Sequence, residues 1–174
     1  MTTDSTATIT PRPFEPRDQA ATRRLILAGL ADHFGVIDET MNPDLDDIQR
    51  HYVDPGHLVV VAERDGDLVG VGMLIEEAPR TGRLVRMSVA RNCRGQGLGR
   101  HLVAHLIAAA RARGYTRLLV ETNDDWPDAI GLYGAGGFVE EDRRDGEIHM
   151  AMELSSEGWT SPKGHPVHPS EKSF

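Results

Sequence analysis

Cysteine is nearly absent from this 174-residue chain. The single Cys93 cannot close an internal disulfide, which fits a reducing compartment. No stretch approaches the roughly 18 consecutive apolar residues of a membrane-spanning helix, and the polar start Met1-Thr2-Thr3-Asp4-Ser5 lacks the basic and apolar regions of a secretory signal. Together these absences give the expectation of a cytoplasmic protein. Positive charge is short as well. The 19 Lys and Arg stand against 27 Asp and Glu, a formal charge of −8 that disfavours nucleic acid and anionic membrane as partners and mildly favours basic small molecules. His101 and His105 have the i, i+4 spacing of metal ligands on a helix, but no third ligand or His-Glu-x-x-His pattern accompanies them, so no metal is expected.

The length suits one well-buried core and is short for two. One domain is expected over residues 8–154, after a flexible start at 1–7 and before a mobile tail at 155–174, which is rich in Ser, Pro, Gly and His and has no apolar period. Within the domain, strands and helices alternate. Residues 8–14 read as a strand. Pro16 suits a first helical turn, and Ala20, Leu25, Ile26 and Leu30 make an apolar face up to about Phe34. Gly35 and Asn42-Pro43 break the pattern before a short helix with Asp44, Asp46 and Asp47 in its first turn. A hairpin of 57–63 and 68–76 turns at Asp65-Gly66, and a strand over 83–90 leads to a helix over 97–113 with Leu98, Leu102, Leu106 and Ala109 on one face. Gly114 stops that helix. A strand over 116–122 follows, then a helix opened by Asp125-Trp126-Pro127, and two last strands near 138–141 and 147–154 that turn at Asp145-Gly146.

The junction Arg94-Gly95-Gln96-Gly97-Leu98-Gly99-Arg100, between an apolar strand and an alanine-rich helix, has the makings of an anion cradle. Its glycines permit positive φ and close approach, and the first-turn N–H groups of the helix have no internal partner. The loop has no lysine for a nucleotide triphosphatase pattern, and Arg100 stands where a dinucleotide fingerprint needs its third glycine. What fits is Arg/Gln-x-x-Gly-x-Gly/Ala. With Leu118–Asn123 and the "LYxxxGF"-like Leu132-Tyr133-Gly134-Ala135-Gly136-Gly137-Phe138 downstream, and Ile9–Phe14 upstream, the chain from about Ile9 to Leu154 resembles the GCN5-related N-acetyltransferases, the GNAT superfamily.

That resemblance implies an α/β (α+β) fold: a mixed, mostly antiparallel sheet of six to seven strands, splayed between the fourth and fifth and flanked by about four helices. It implies acetyl-CoA as co-substrate, its pyrophosphate on Arg94, Gly95, Gln96, Gly97, Leu98, Gly99 and Arg100, its pantetheine arm along Met87, Ser88 and Val89, and a contact from Asn123. Asn123 equally suits a turn. Acetyl transfer to an amine requires removal of a proton, because a free alkyl amine with a pKa near 10.4 is almost wholly protonated at pH 7. It also benefits from an acid for the leaving thiolate. The resemblance gives that acid role to Tyr133, with a packed aromatic as the alternative reading. Many relatives carry an acid just before the fourth strand's apolar run; here that place is Arg83, and Glu76, Glu77 and Glu121 remain as base candidates. Glu121 is favoured because a carboxylate buried within a strand is costly without a role, although it could instead pair with an arginine. His33, Phe34, Asp38, Trp126 and Glu147 are candidate wall residues for the acceptor, although Phe34 and Trp126 read more readily as core. The acceptor is a small-molecule or peptide amine, and homodimers are common in the family. The alternative function is a noncatalytic acyl-CoA-binding module.

Overall fold

A computed structural model describes residues 9–154, so the start at 1–7 and the tail at 155–174, expected to be flexible and mobile, lie outside the described residues. The seven strands are β1 (Pro11–Pro13), β2 (Leu58–Arg64), β3 (Asp67–Ala78), β4 (Thr81–Val89), β5 (Arg117–Asn123), β6 (Val139–Arg144) and β7 (Glu147–Glu153). They form one sheet in the order β1-β2-β3-β4-β5-β7-β6, antiparallel except where β4 runs parallel to β5. Prolines at both ends of β1 are tolerated because β1 is an edge strand.

The β2 run Leu58-Val59-Val60-Val61-Ala62 is apolar throughout because both faces of the sheet are covered. Val59 and Val61 face α1 (Gln19–Phe34), in a cluster with Ile26, Leu45, Ile48 and Met73. Val60 and Ala62 face α2 (Leu98–Ala112) and α3 (Pro127–Gly136), with Leu74, Leu102, Leu106, Leu118 and Ile148. Burying each of these branched side chains stabilises the fold by about 1.5–3 kcal/mol. None of the helices among the described residues is long and apolar enough to cross a membrane.

Several boundaries differ from the sequence reading. The first strand is only Pro11–Pro13. On α1, Ala20 is exposed, whereas Thr22 is buried with Ile26 and Leu27. The short acid-rich helix expected after Asn42-Pro43 is instead a 3-10 turn, Pro43–Leu45, followed by a π-helical turn, Gln49–Val53, and a further 3-10 turn, Glu39–Met41, precedes them. On α2 the last buried position is Ala110, with Ala109 half-buried, because the helix also buries Val103 and Ile107 and its apolar stripe is wider than a single i, i+4 row. Asp125 does not cap α3, whose N-cap is Trp126 with no side-chain cap.

Candidate active site

The seam between β4 and β5 is three residue pairs long: Thr81, Gly82 and Arg83 against Arg117, Leu118 and Leu119. Beyond it the strands part, and β4 from Leu84 to Val89 pairs only with β3. The expected splay is therefore present. It leaves the backbone of half-buried Met87, Ser88 and Val89 with no strand along one edge, where the Val89 carbonyl is held by Arg94, an arrangement that an extended arm can join as an added strand.

Directly after β4 the chain makes a 3-10 turn, Arg91–Cys93, and enters the glycine loop. Gly95 has φ +73° and Gly97 φ +84°, left-handed values that strain any side chain. Gly97 is the N-cap of α2, and the first intrahelical bond runs from His101 N–H to the Gly97 carbonyl. The N–H groups of Leu98, Gly99 and Arg100 thus have no helical acceptor and face outward with the positive end of the helix dipole. Gln96 braces the loop through Nε2 to the Asn92 carbonyl at 2.9 Å, and Arg94 through Nε to the Val89 carbonyl at 3.0 Å. A side chain at Gly99 would meet Leu132 at 3.3 Å, so α3 packs directly on the start of α2. This loop fits a pyrophosphate.

Tyr133 follows Leu132 on α3. Its ring is buried edge-on to Phe138, with centroids 5.9 Å apart. Burial alone raises its pKa, with no charged neighbour contributing, so the hydroxyl keeps its proton. Ring packing and an acid role are compatible here.

Glu121 is exposed rather than buried, and the carboxylate-in-the-core argument for it does not apply. Arg83 Nη1 donates to its Oε1 at 2.5 Å, and His149 Nδ1 lies 3.1 Å from the same oxygen. Arg83 also donates to both oxygens of Glu77, at 2.9 and 3.0 Å, and holds that carboxyl below its usual pKa. His149 Nε2 is buried without a hydrogen-bond partner, 3.7 Å from Glu147. The expected acid on β4 has therefore been replaced by an arginine that gathers carboxylates from β3 and β5. Asn123 shares the Glu121 face by strand alternation, and its backbone carbonyl accepts from Trp126 N–H at 3.1 Å.

Among the expected wall residues, His33 stacks on Trp126 with centroids 4.1 Å apart and planes 8° from parallel. Phe34 meets His33 edge-on and is 55 % exposed, so it is not core. Asp38 caps its own 3-10 turn, accepting from Thr40 N–H at 3.0 Å. Cys93 is buried in the core, 1 % exposed. His101 is exposed, and no cluster of three His, Cys, Asp or Glu side chains assembles among the described residues.

Two features escape sequence reasoning. Arg86 stands at a bulge in β4 with φ +54°, and its guanidinium grips Asp44 at 2.7 and 3.0 Å and Asn42 at 3.1 Å. Asp44 also accepts from the Tyr52 hydroxyl, whose pKa is pushed up to about 12 by burial and then by that bond. Asp32, near the end of α1, pairs with Arg91 and with Arg94. An acid at a helix C-terminus, against the dipole, was the available signal.

The comparisons agree with this geometry. Residues 26–138 match the acetyltransferase (GNAT) family. The uncharacterized N-acetyltransferase YjgM of Escherichia coli K12 is 33% identical over 126 residues, which cover 65% of this chain and 74% of that protein. N-acetyltransferase 8 of Rattus norvegicus is 36% identical over 120 residues, 66% of this chain and 52% of that one, so the chain spans about half the length of that relative. A Salmonella typhimurium acetyltransferase structure with its cofactor acetyl-CoA superposes with a TM-score of 0.70 at 18% identity, covering 90% of this chain and 99% of that one, a likeness of fold. Sequence, sheet topology and loop geometry thus converge, and the chain belongs to the GNAT acetyltransferase family.

Proposed function

We propose that this chain transfers the acetyl group of acetyl-CoA directly to a primary amine of a small molecule or peptide. The observation that carries the reading is the anion cradle of Gly95–Arg100, opening beside the unpaired edge of β4. First-turn N–H groups and the exposed Arg100 would hold the pyrophosphate, and the backbone of Met87, Ser88 and Val89 the pantetheine arm. Bound there, acetyl-CoA supplies a thioester carbonyl as electrophile. Glu121 takes a proton from the incoming ammonium. Both of its contacts fall on Oε1, which leaves Oε2 without a partner among the described residues. As the amine bonds to the carbonyl carbon and the C–S bond breaks, Tyr133, kept protonated by burial, donates to the departing thiolate and is restored by the proton that the new amide nitrogen sheds. His33, Phe34 and Trp126 supply the acceptor wall. A cytoplasmic location belongs to the same reading, and homodimerisation, common in the family, has no stretch of this chain that specifies it.

A second reading, a noncatalytic acyl-CoA-binding module, is favoured by Arg83 standing in the usual acid's place and neutralising Glu121. Calorimetric titration with CoA and acetyl-CoA, followed by thiol release across an amine panel, separates the two. Binding with turnover supports the enzyme, binding with no turnover on any amine supports the module, and no binding by folded protein removes both.

A further inference from the structure

The last turn of α1 touches both lips of the opening between β4 and β5. At Gly29 the helix lies so close to β4 that an added Cβ would sit 2.8 Å from Ser88 Oγ. Nearly one turn on, Asp32 accepts from Arg94 Nη2 at 2.9 Å and pairs through its other oxygen with Arg91, both in the segment leading into the glycine loop. The next residue, His33, reaches the other lip: it stacks on Trp126 and brings Nε2 to 3.3 Å from Asp125 Oδ1.

Asp32 is poorly placed on its own helix, where an acid in the last turn opposes the dipole. Its side chain is nevertheless only 24% exposed, and it meets two guanidiniums. Arg91 first, and then Arg94 after the opposing effect of desolvation, hold its carboxyl below the usual range. A guanidinium fork accepts a phosphate in the same geometry as a carboxylate, and a phosphate brings more charge. Arg94 is tethered at Nε by the Val89 carbonyl, so its Nη2 end alone has to change partner. The pair is partly exposed, and such pairs are weak and readily exchanged.

Resting on the assignment of Arg94–Arg100 to the pyrophosphate, we propose that Asp32 is a positioning residue that competes with the cofactor's phosphates for Arg94 and Arg91. Displacing it passes through His33 to the Trp126 wall, so that occupancy of the cofactor loop sets the acceptor side. The differential is explicit: the resting arrangement gains the Asp32 pairs and the loaded one gains phosphate pairs instead.

The test is Asp32→Asn in a Trp159→Phe background, which leaves Trp126 as the sole tryptophan. CoA is the probe, followed by calorimetry and by tryptophan emission, with Asp32→Glu as the conservative control. The expected result is CoA binding about three- to tenfold tighter in Asp32→Asn than in the parent. The CoA-induced change in Trp126 emission, present in the parent and in Asp32→Glu, should be largely absent. Equal or weaker CoA affinity in Asp32→Asn overturns the proposal, as does an emission change that survives the substitution. A parent protein that binds no CoA overturns instead the assignment of the loop on which the proposal rests.

Discussion

Arg83 crosses from β4 to β5, its Nη1 2.5 Å from Glu121 Oε1, just past the last residue pair joining the two strands. The pair holds the favoured base in place at the apex of the cleft, with one oxygen engaged. Glu121→Gln is expected to lower kcat by roughly 10²-fold or more, with CoA affinity unchanged. Steady-state kinetics together with CoA titration check it. A full-rate variant removes Glu121 from the proton path.

Tyr133→Phe keeps the ring and its contact with Phe138. The expected loss in kcat is about 10²-fold, the low end for acid catalysis, because a thiol with a pKa near 8.5 is already a fair leaving group. Since burial raises the tyrosine's pKa above its ordinary 10, the wild-type rate should show no alkaline decline from this group below that pH. An unchanged rate in the variant at every pH assigns the ring to packing alone.

Gly97→Ala places a Cβ at φ +84°, where left-handed geometry costs an L-residue about 1–2 kcal/mol, although the added methyl meets nothing within 4 Å. A matching loss of stability is expected in denaturant unfolding, together with weaker CoA binding as the cradle relaxes. Wild-type values in both measurements would mean the loop tolerates the strain and that its shape does not set affinity.

Asp18 is 5% exposed, accepts from both Nη atoms of Arg12 at 2.7 and 2.9 Å, and has its pKa lowered chiefly by that bond. A folded pKa below the unfolded value of 3.8 contributes stability that is fully present above that value and lost as pH falls through the lower, folded one. Asp18→Asn should destabilise the protein at neutral pH and flatten the acid limb of its stability curve. Parallel wild-type and variant curves would show that Arg12 gives this carboxylate no special hold.

Two of the three hairpins among the described residues, β2–β3 and β6–β7, were readable in the sequence because their Asp-Gly turns are local, whereas the β3–β4 hairpin was not. Asp65-Gly66 and Asp145-Gly146 adopt the positive φ values, +53° and +85° in one and +53° and +76° in the other, of the tight turn that Asp-Gly favours. The glycine loop was readable for the same reason. The Arg86 bulge was not, because Val85-Arg86-Met87 alternates as any strand does and the grip on Asp44 spans 42 residues of sequence. The segment after Asn42-Pro43 looked helical from Asp44, Asp46 and Asp47, but it settles into a 3-10 turn at Pro43–Leu45 and a separate π-helical turn at Gln49–Val53. Phe34 reads as core by type, yet its place at the end of α1 exposes it. Asp32 and His149 gain meaning only once α1 lies across the cleft and β7 pairs with β5, relationships that no local pattern encodes.

The three-pair seam makes the sheet mechanically two plates: β1 to β4 on one side, and β5, β7 and β6 on the other, each internally antiparallel. Besides that short seam, the plates share the apolar cluster in which Leu102 and Leu106 of α2 meet Leu118 of β5 and Ile148 of β7. Such a joint is where the molecule breathes most cheaply, so amides along the β4–β5 seam should exchange with solvent faster than those between β2 and β3. A ligand lying along the parted edges acts as a splint, and its arrival would be legible as slowed exchange at the seam.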